Sequence, residues 1–184
     1  MRDETNDEIL AGVAQWAREN GVECEAAGES HLVVQLPGER KLKTTVSIRL
    51  STRSADLQAF VIRHPDENRE EFTSWLLRRN MKLKGVAFAV DRLGDVYLNA
   101  SLPRERLLGE LDALLGAILT AADESFNELL LIGFITSMKR EWAWRISRGE
   151  STRNLAAFAD VLSGEDNEFL TAVDGQQAED GEKG

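Results

Sequence analysis

The sequence predicts an α+β domain, with an antiparallel sheet and helices in the order α-β-β-β-α-β-β-α. Short segments with β-branched or alternating apolar residues come as a group of three and a group of two, separated by turn residues. Segments with helical spacing of apolar residues lie before, between and after these groups. Runs of strands joined by short turns, with helices outside the runs, are typical of this class.

The first half of the chain is expected to hold a helix and a three-stranded meander. Ile9, Val13 and Trp16 recur with helical spacing within residues 5–20. Strands are predicted at residues 31–36, 44–50 and 57–63, and the small-residue segment before them is interpreted as a loop.

The second half is expected to continue with a helix, a hairpin and a long helix. The segment from about Asp66 to about Met81 has acidic residues at its start and basic residues towards its end, which complements a helix dipole. Residues 85–90 and 95–102 predict a β-hairpin. Pro103 then suits the first turn of a long helix, because its missing N–H is not needed there.

Composition indicates an ordinary soluble protein of the cytoplasm. The 184 residues are 42% hydrophobic and 29% charged, with a formal net charge of -10. The single cysteine excludes an intrachain disulfide framework. The apolar runs are far shorter than the roughly 20 residues that span a bilayer, and the acidic start of the chain does not fit a signal peptide. We therefore expect a cytoplasmic protein that does not enter membranes.

The sequence offers no catalytic, cofactor or metal motif. His31 and His64 are the only histidines, and Cys24 is near neither of them, so a zinc ligand set is not expected. The acidic neighbours of Cys24 should raise the pKa of its thiol rather than activate it. The 32 carboxylates show no spacing that identifies an acid–base pair. We expect no catalytic residue, no cofactor and no metal, and hence no enzyme.

An aromatic-basic extension at residues 138–158 is the most unusual part of the chain. Residues 139–154 carry five basic and two acidic groups. By contrast, residues 1–138 carry 16 basic and 22 acidic groups, and residues 155–184 carry one basic and eight acidic groups. Tryptophan and arginine are enriched at binding hot spots. The sequence therefore predicts a partner-binding patch formed by Arg140, Trp142, Trp144, Arg145 and Arg148.

The structure and role of this extension are open from the sequence. Trp142, Trp144 and Ile146 alternate as they would in a strand, whereas other spacings in the same segment fit a helix. In the alternative interpretation, the tryptophans cover the core and the arginines pair with the excess acid. The extension completes a single domain at residues 1–158, and residues 159–184 are expected to form a disordered acidic tail.

The element order resembles that of the bacterial YbjN-like proteins, as do the segments SWLLRRNMKLKGVAFAVDRLGDVYLNASLP and FNELLLIGFITSMKREWAWRISRGESTRNLAAF. That family is named for regulators of sensory transduction, and its fold is similar to that of the type III secretion chaperones. The likeness covers roughly Asp7 to Phe158 and implies no catalytic residues. It implies a small acidic protein, usually dimeric, that holds an extended partner segment on an exposed surface. The extension and the acidic tail depart from the secretion chaperones and argue against a literal role in secretion.

These observations favour a non-enzymatic protein-binding adaptor, a chaperone-like protein or a regulator that acts as a homodimer. One alternative is a small enzyme or enzyme-modulating subunit whose site is assembled from scattered carboxylates and arginines. A second is nucleic-acid binding through residues 139–154, against which the net negative charge counts.

Overall fold

The structure is a computed structural model that describes residues 4–170 of the chain. The chain divides into two compact units, Met1–Gly133 and Phe134–Gly184. Its elements are α1 (Glu4–Glu19), β1 (Glu23–Gly28), β2 (His31–Pro37), β3 (Lys43–Leu50), β4 (Ser54–Ile62), α2 (Arg69–Asn80), β5 (Ala87–Val90), β6 (Val96–Pro103), a 3-10 turn (Arg104–Arg106), α3 (Leu107–Arg148), a second 3-10 segment (Arg153–Phe158) and α4 (Ala159–Leu162).

The first unit contains a six-stranded antiparallel sheet in the order β1-β2-β3-β4-β6-β5. The predicted α+β class, the meander of β2, β3 and β4, and the hairpin of β5 and β6 are confirmed. The predicted element order lacks one strand, because the segment interpreted as a loop contains β1. Glu23–Gly28 has no alternation of buried and exposed residues, so it carries no strand signal of its own. Its pairing with β2 makes it a strand.

Alternate residues of the sheet are buried, which places the core on one face. In β3, Val46 and Ile48 are fully buried, while Arg49 between Ile48 and Leu50 is exposed. Val13 of α1 and Ile118 of α3 are also fully buried, since the helices supply the rest of the core. The opposite face of the sheet is open, with polar side chains along β3, β4 and β6 and the stacked rings of Phe60 and Tyr97, as in antiparallel sheets that are solvated on one side.

Side-chain hydrogen bonds join α2 to its neighbours. The Asn80 side chain accepts from the backbone N–H of Phe88 at 2.7 Å and donates to the Phe88 carbonyl at 3.1 Å. Trp75 Nε1 donates to Glu128 on α3 at 3.1 Å. These bonds place α2 beside strand β5 and the middle of α3.

The second unit consists of the end of α3 and a segment that folds back along it. The predicted acidic tail at residues 159–184 needs a correction at its start, because α4 and the residues up to 170 have defined structure. Leu162 is fully buried, and Asn167 is 1% exposed. Burial of this leucine and asparagine orders a segment that its acidic composition alone would not. Residues 171–184 of the predicted tail lie outside the described residues.

Candidate partner-binding surface

The aromatic-basic extension continues α3, which ends at Arg148. A helix turns by about 100° per residue, so side chains two positions apart point to opposite sides. Trp142 is accordingly buried, with 8% of its surface exposed, whereas Trp144 is 48% exposed. The alternation in the sequence thus reflects the two sides of a helix and not a strand.

The buried side of this helical end is tied to the returning segment by Arg145 and Glu141. Arg145 forms an ion pair with Glu141 one turn earlier, at 2.8 Å. It also donates to the Ser151 carbonyl at 2.9 Å, and Asn154 donates to the same Glu141 carboxylate at 3.3 Å. Arg145 is therefore engaged in holding the unit together.

A second tie lies one turn further back along α3. Asn167 Nδ2 donates to the Leu162 carbonyl at 2.7 Å and to the Lys139 carbonyl at 3.3 Å, while its Oδ1 accepts from the Phe169 N–H at 3.2 Å. Lys139 Nζ donates to the Asp166 carbonyl at 2.6 Å and pairs with Glu168 at 3.3 Å. These bonds satisfy a fully buried amide, as such groups require.

The exposed side presents Arg140, Trp144 and Arg148, one helical turn apart, which we call the Trp144 face. The Arg148 guanidinium lies 5.0 Å from the centre of the Trp144 ring, within the range of a cation–π interaction. Arg140 lies 5.1 Å from the ring of Phe169. Within residues 4–170, neither guanidinium forms an ion pair with a carboxylate. Both cations are stacked on aromatic rings. The Arg140 charge also acts on the Glu168 carboxylate, so Arg148 is the more available of the two to an anionic group of a partner.

The structure thus divides the five predicted site residues. Arg140, Trp144 and Arg148 come together on the exposed side, while Trp142 and Arg145 are turned towards the returning segment or buried. Sequence reasoning missed Phe169, which lies in the predicted tail, and left Ile146, which is 50% exposed, out of the patch. The one signal for Phe169 was an aromatic residue within an otherwise acidic segment.

Electrostatics inside the second unit follow from these hydrogen bonds. The pKa of the Glu168 carboxyl lies below its ordinary value, first because of a hydrogen bond from its own backbone and then because of Lys139 and the Arg140 charge. In the first unit, partial burial raises the pKa of the Cys24 thiol, and the Arg18 charge opposes this. The expected direction for Cys24 is confirmed, although burial and not its acidic neighbours is the cause.

No group of three or more histidine, cysteine or carboxylate side chains in the described part of the chain could hold a metal ion. No helix among residues 4–170 combines the length and the apolarity that crossing a bilayer requires.

Comparison with known proteins places the first unit in a family. Residues 10–131 match the model of the YbjN family, whose description is "Putative bacterial sensory transduction regulator". The chain belongs to the YbjN family. The YbjN match ends before Phe134, so the Trp144 face lies beyond it.

The chain is also similar to a mycobacterial relative in sequence and to solved structures in fold. An uncharacterised protein of Mycobacterium tuberculosis is 49% identical over 129 residues, which are 70% of this chain and 70% of the relative. The fold is similar to that in the ExsC–ExsE complex, with a TM-score of 0.50 and 19% identity over 67% of this chain and 95% of the other. It is also similar to that in the HopA1–SchA chaperone–effector complex, with a TM-score of 0.50 and 14% identity over 68% and 98%. The predicted likeness to secretion chaperones is confirmed at the level of the fold.

Proposed function

We propose that this YbjN protein is a non-enzymatic adaptor or regulator of the bacterial cytoplasm, and that it binds a protein partner through the Trp144 face. The observation that carries the proposal is the pair of guanidiniums, Arg140 and Arg148, that have no ion pair within residues 4–170 of a chain of net charge -10. A half-exposed tryptophan lies between them. Arginine and tryptophan together suit a partner segment that carries carboxylates beside an apolar side chain.

Similar folds support this proposal from a second side. The HopA1–SchA structure is a complex of a chaperone with its effector, so a fold of this kind presents a surface to a protein partner there. By analogy, the sheet and helices of the first unit serve as the scaffold of a binding protein here. The charge pattern of the Trp144 face adds the preference for an acidic segment.

The other two functions predicted as alternatives receive less support from the residues. Of the five basic residues in 139–154, Lys139 and Arg145 are engaged in ion pairs within the unit. Three cations are a small number for nucleic acid, whose affinity grows with the number of phosphates that are neutralised. In the second unit, Glu141 and Arg145 form a structural tie, which disfavours an enzyme site built on this pair.

Affinity capture with matched variants tests the Trp144 face. The protein is immobilised and exposed to lysate of the native host, and bound proteins are quantified by mass spectrometry. We expect a partner to be retained by the wild type and lost by Trp144→Ala with Arg148→Ala. The control, Arg153→Ala with Val161→Ala, removes an exposed arginine and an exposed apolar residue from the same unit and should retain the partner. Equal retention by both double variants, at unchanged stability, would refute the assignment of the face.

We also propose that two copies associate through α2 and the edge strand β5. Leu77 of α2 and Met81, the residue that follows α2, are 63% and 88% exposed, and Val90 of β5 is 49% exposed. Exposed apolar groups invite association, and a two-fold interface uses the same patch on both copies.

The mass of the protein in solution tests this dimer. Analytical ultracentrifugation should give twice the 20.5 kDa of the chain for the wild type. Leu77→Glu with Met81→Glu should give the single mass, while Leu42→Glu, at a residue that is 78% exposed in the β2–β3 loop, should leave the dimer intact. A monomeric wild type would rule the dimer out.

A further inference from the structure

The open face of the sheet carries a polar concavity of about 390 Å³ over three neighbouring strands. Its side chains come from β3, β4 and β6: Ser47, Arg49, Asp56, Gln58, Asn99 and Ser101. In the strand register they form two rows. Asp56 pairs with Arg49 on one side and with Ser101 on the other, and Gln58 lies likewise between Ser47 and Asn99. Because the buried residues of these strands face the core, the two rows project from the other face.

The carboxylate in the first row is held in one orientation by hydroxyl groups. Ser101 Oγ donates to Asp56 Oδ1 at 2.6 Å, and Ser54 Oγ donates to Asp56 Oδ2 at 2.9 Å. Each carboxylate oxygen can accept a further hydrogen bond, since it has two lone pairs. Asp56 is thus a fixed anion with remaining capacity for a donor.

Two groups beside this carboxylate lack partners. Arg49 lies directly opposite Asp56, yet within residues 4–170 its side chain forms no hydrogen bond and no ion pair. Asn99 Oδ1 is shielded from solvent and accepts no hydrogen bond from the described residues. A shielded acceptor without a donor is unfavourable, and such groups in native proteins usually have a bound partner. The concavity therefore offers a free cation, a fixed anion and the amide side chains of Gln58 and Asn99.

We propose that this concavity binds a free α-amino acid with a polar side chain. Directly opposed residues in antiparallel strands have Cβ atoms about 4.5–5.5 Å apart, so Arg49 and Asp56 present opposite charges side by side. An amino acid carries a carboxylate and an ammonium group on one carbon, which match these charges. Its polar side chain then meets the amide side chains of Asn99 and Gln58, which line the same concavity.

Other ligands match this arrangement less well. A phosphate or nucleotide would bring negative charge against Asp56 as well as towards Arg49. The interior of a peptide has neither of the two terminal charges. Recognition therefore depends on both charges together, and loss of either from the ligand should abolish binding.

Titration of the full chain followed by ¹H–¹⁵N NMR tests the site. Each proteinogenic amino acid is added to about 20 mM, since a few charged hydrogen bonds support only millimolar affinity. Low ionic strength is used because exposed charges are screened by salt. We expect saturable shifts at the amides of Arg49, Gln58 and Asn99 with a polar amino acid such as L-glutamine. N-acetyl-L-glutamine, which lacks the ammonium group, should produce none.

Variants of the full chain complete the test. Arg49→Gln should weaken L-glutamine binding at least about tenfold, because it removes the charge-assisted hydrogen bonds to the carboxylate. Arg49 makes no bond within the described chain, so this variant should fold as the wild type does. Arg53→Gln, at an exposed arginine in the β3–β4 turn, is the control and should bind normally. Absence of a saturable shift with every amino acid would overturn the proposal, as would equal binding by Arg49→Gln or of the N-acetyl compound.

Discussion

Replacing Trp142 by alanine should destabilise the protein far more than replacing Trp144, although both lie in the same helical turn. Trp142 is 8% exposed, and Trp144 is 48% exposed and covered on one side by the Arg148 guanidinium. The two substitutions therefore separate a structural tryptophan from a binding one.

The magnitudes follow from burial. A tryptophan buries roughly 150–250 Å², and burial contributes about 25 cal/mol per Å², so nearly complete burial of Trp142 corresponds to roughly 4–6 kcal/mol. Truncation of a buried tryptophan typically costs about 3–5 kcal/mol, and we expect this range for Trp142→Ala. Trp144 is 48% exposed, so its truncation removes about half as much buried surface, leaves no closed cavity and removes one exposed cation–π interaction; we expect about 1–2 kcal/mol.

Urea unfolding followed by far-ultraviolet circular dichroism measures both free energies without relying on the tryptophans as probes. In a thermal scan, the loss at Trp142 should lower Tm by roughly 6–20 °C for a chain of this size. Val161→Ala, at a residue that is 46% exposed, serves as the control and should change little. Equal losses for Trp142→Ala and Trp144→Ala would refute the assignment of one residue to the buried side and the other to the Trp144 face.

Two further predictions concern the first unit. The pKa of the Asp95 carboxyl is lowered, first by a hydrogen bond from the His64 backbone N–H at 2.8 Å and then by the His64 ring nitrogen at 3.0 Å. A carboxyl whose pKa is lowered in the folded state stabilises the protein fully at pH values above its unfolded pKa of about 3.9. This stabilisation is lost as the pH falls through the folded pKa. The urea midpoint of Asp95→Asn should thus lie below that of the wild type near neutral pH and converge with it in acid; a constant difference would contradict this. Gly133→Ala should destabilise by about 1–3 kcal/mol, because a Cβ there would lie 2.8 Å from the Pro65 Cβ and 3.0 Å from the Phe72 ring. Gly116→Ala, where a Cβ meets nothing within 4 Å, is its control in the same urea assay.

Much of the sheet could be predicted because buried apolar residues alternate with more exposed residues along most strands. In β6, Val96, Leu98 and Ala100 are buried, and the residues between them are less so. Strand β1 shows no such alternation, since five of its six residues are exposed and it is held mainly by backbone pairing with β2. Backbone pairing depends on the neighbouring strand and leaves little trace in the side chains of the strand itself.

The segment that holds the candidate surface could be located from the sequence, but the residues on its exposed side could not be identified. The alternation of Trp142, Trp144 and Ile146 is typical of a strand, while other spacings in the same segment fit a helix. Only the continuation of α3 to Arg148 shows that Trp142 and Trp144 lie on opposite sides of a helix. The pairing of Glu141 with Arg145 is visible as a spacing of four residues, which favours a helix. The position of Phe169 beside Arg140 depends on how the chain folds back, which local pattern cannot show.

Strand β1 has a consequence for solubility. It contributes almost nothing to the core, but it covers the hydrogen-bonding edge of β2, whose Val33 and Val34 are apolar neighbours in a strand of high β propensity. Glu23 and Glu25 then place negative charge on the edge that remains open. Charged edges of this kind discourage sheets of separate molecules from joining edge to edge. A weak and exposed strand thus protects the protein against aggregation at the end of the sheet where its most apolar edge would otherwise be bare.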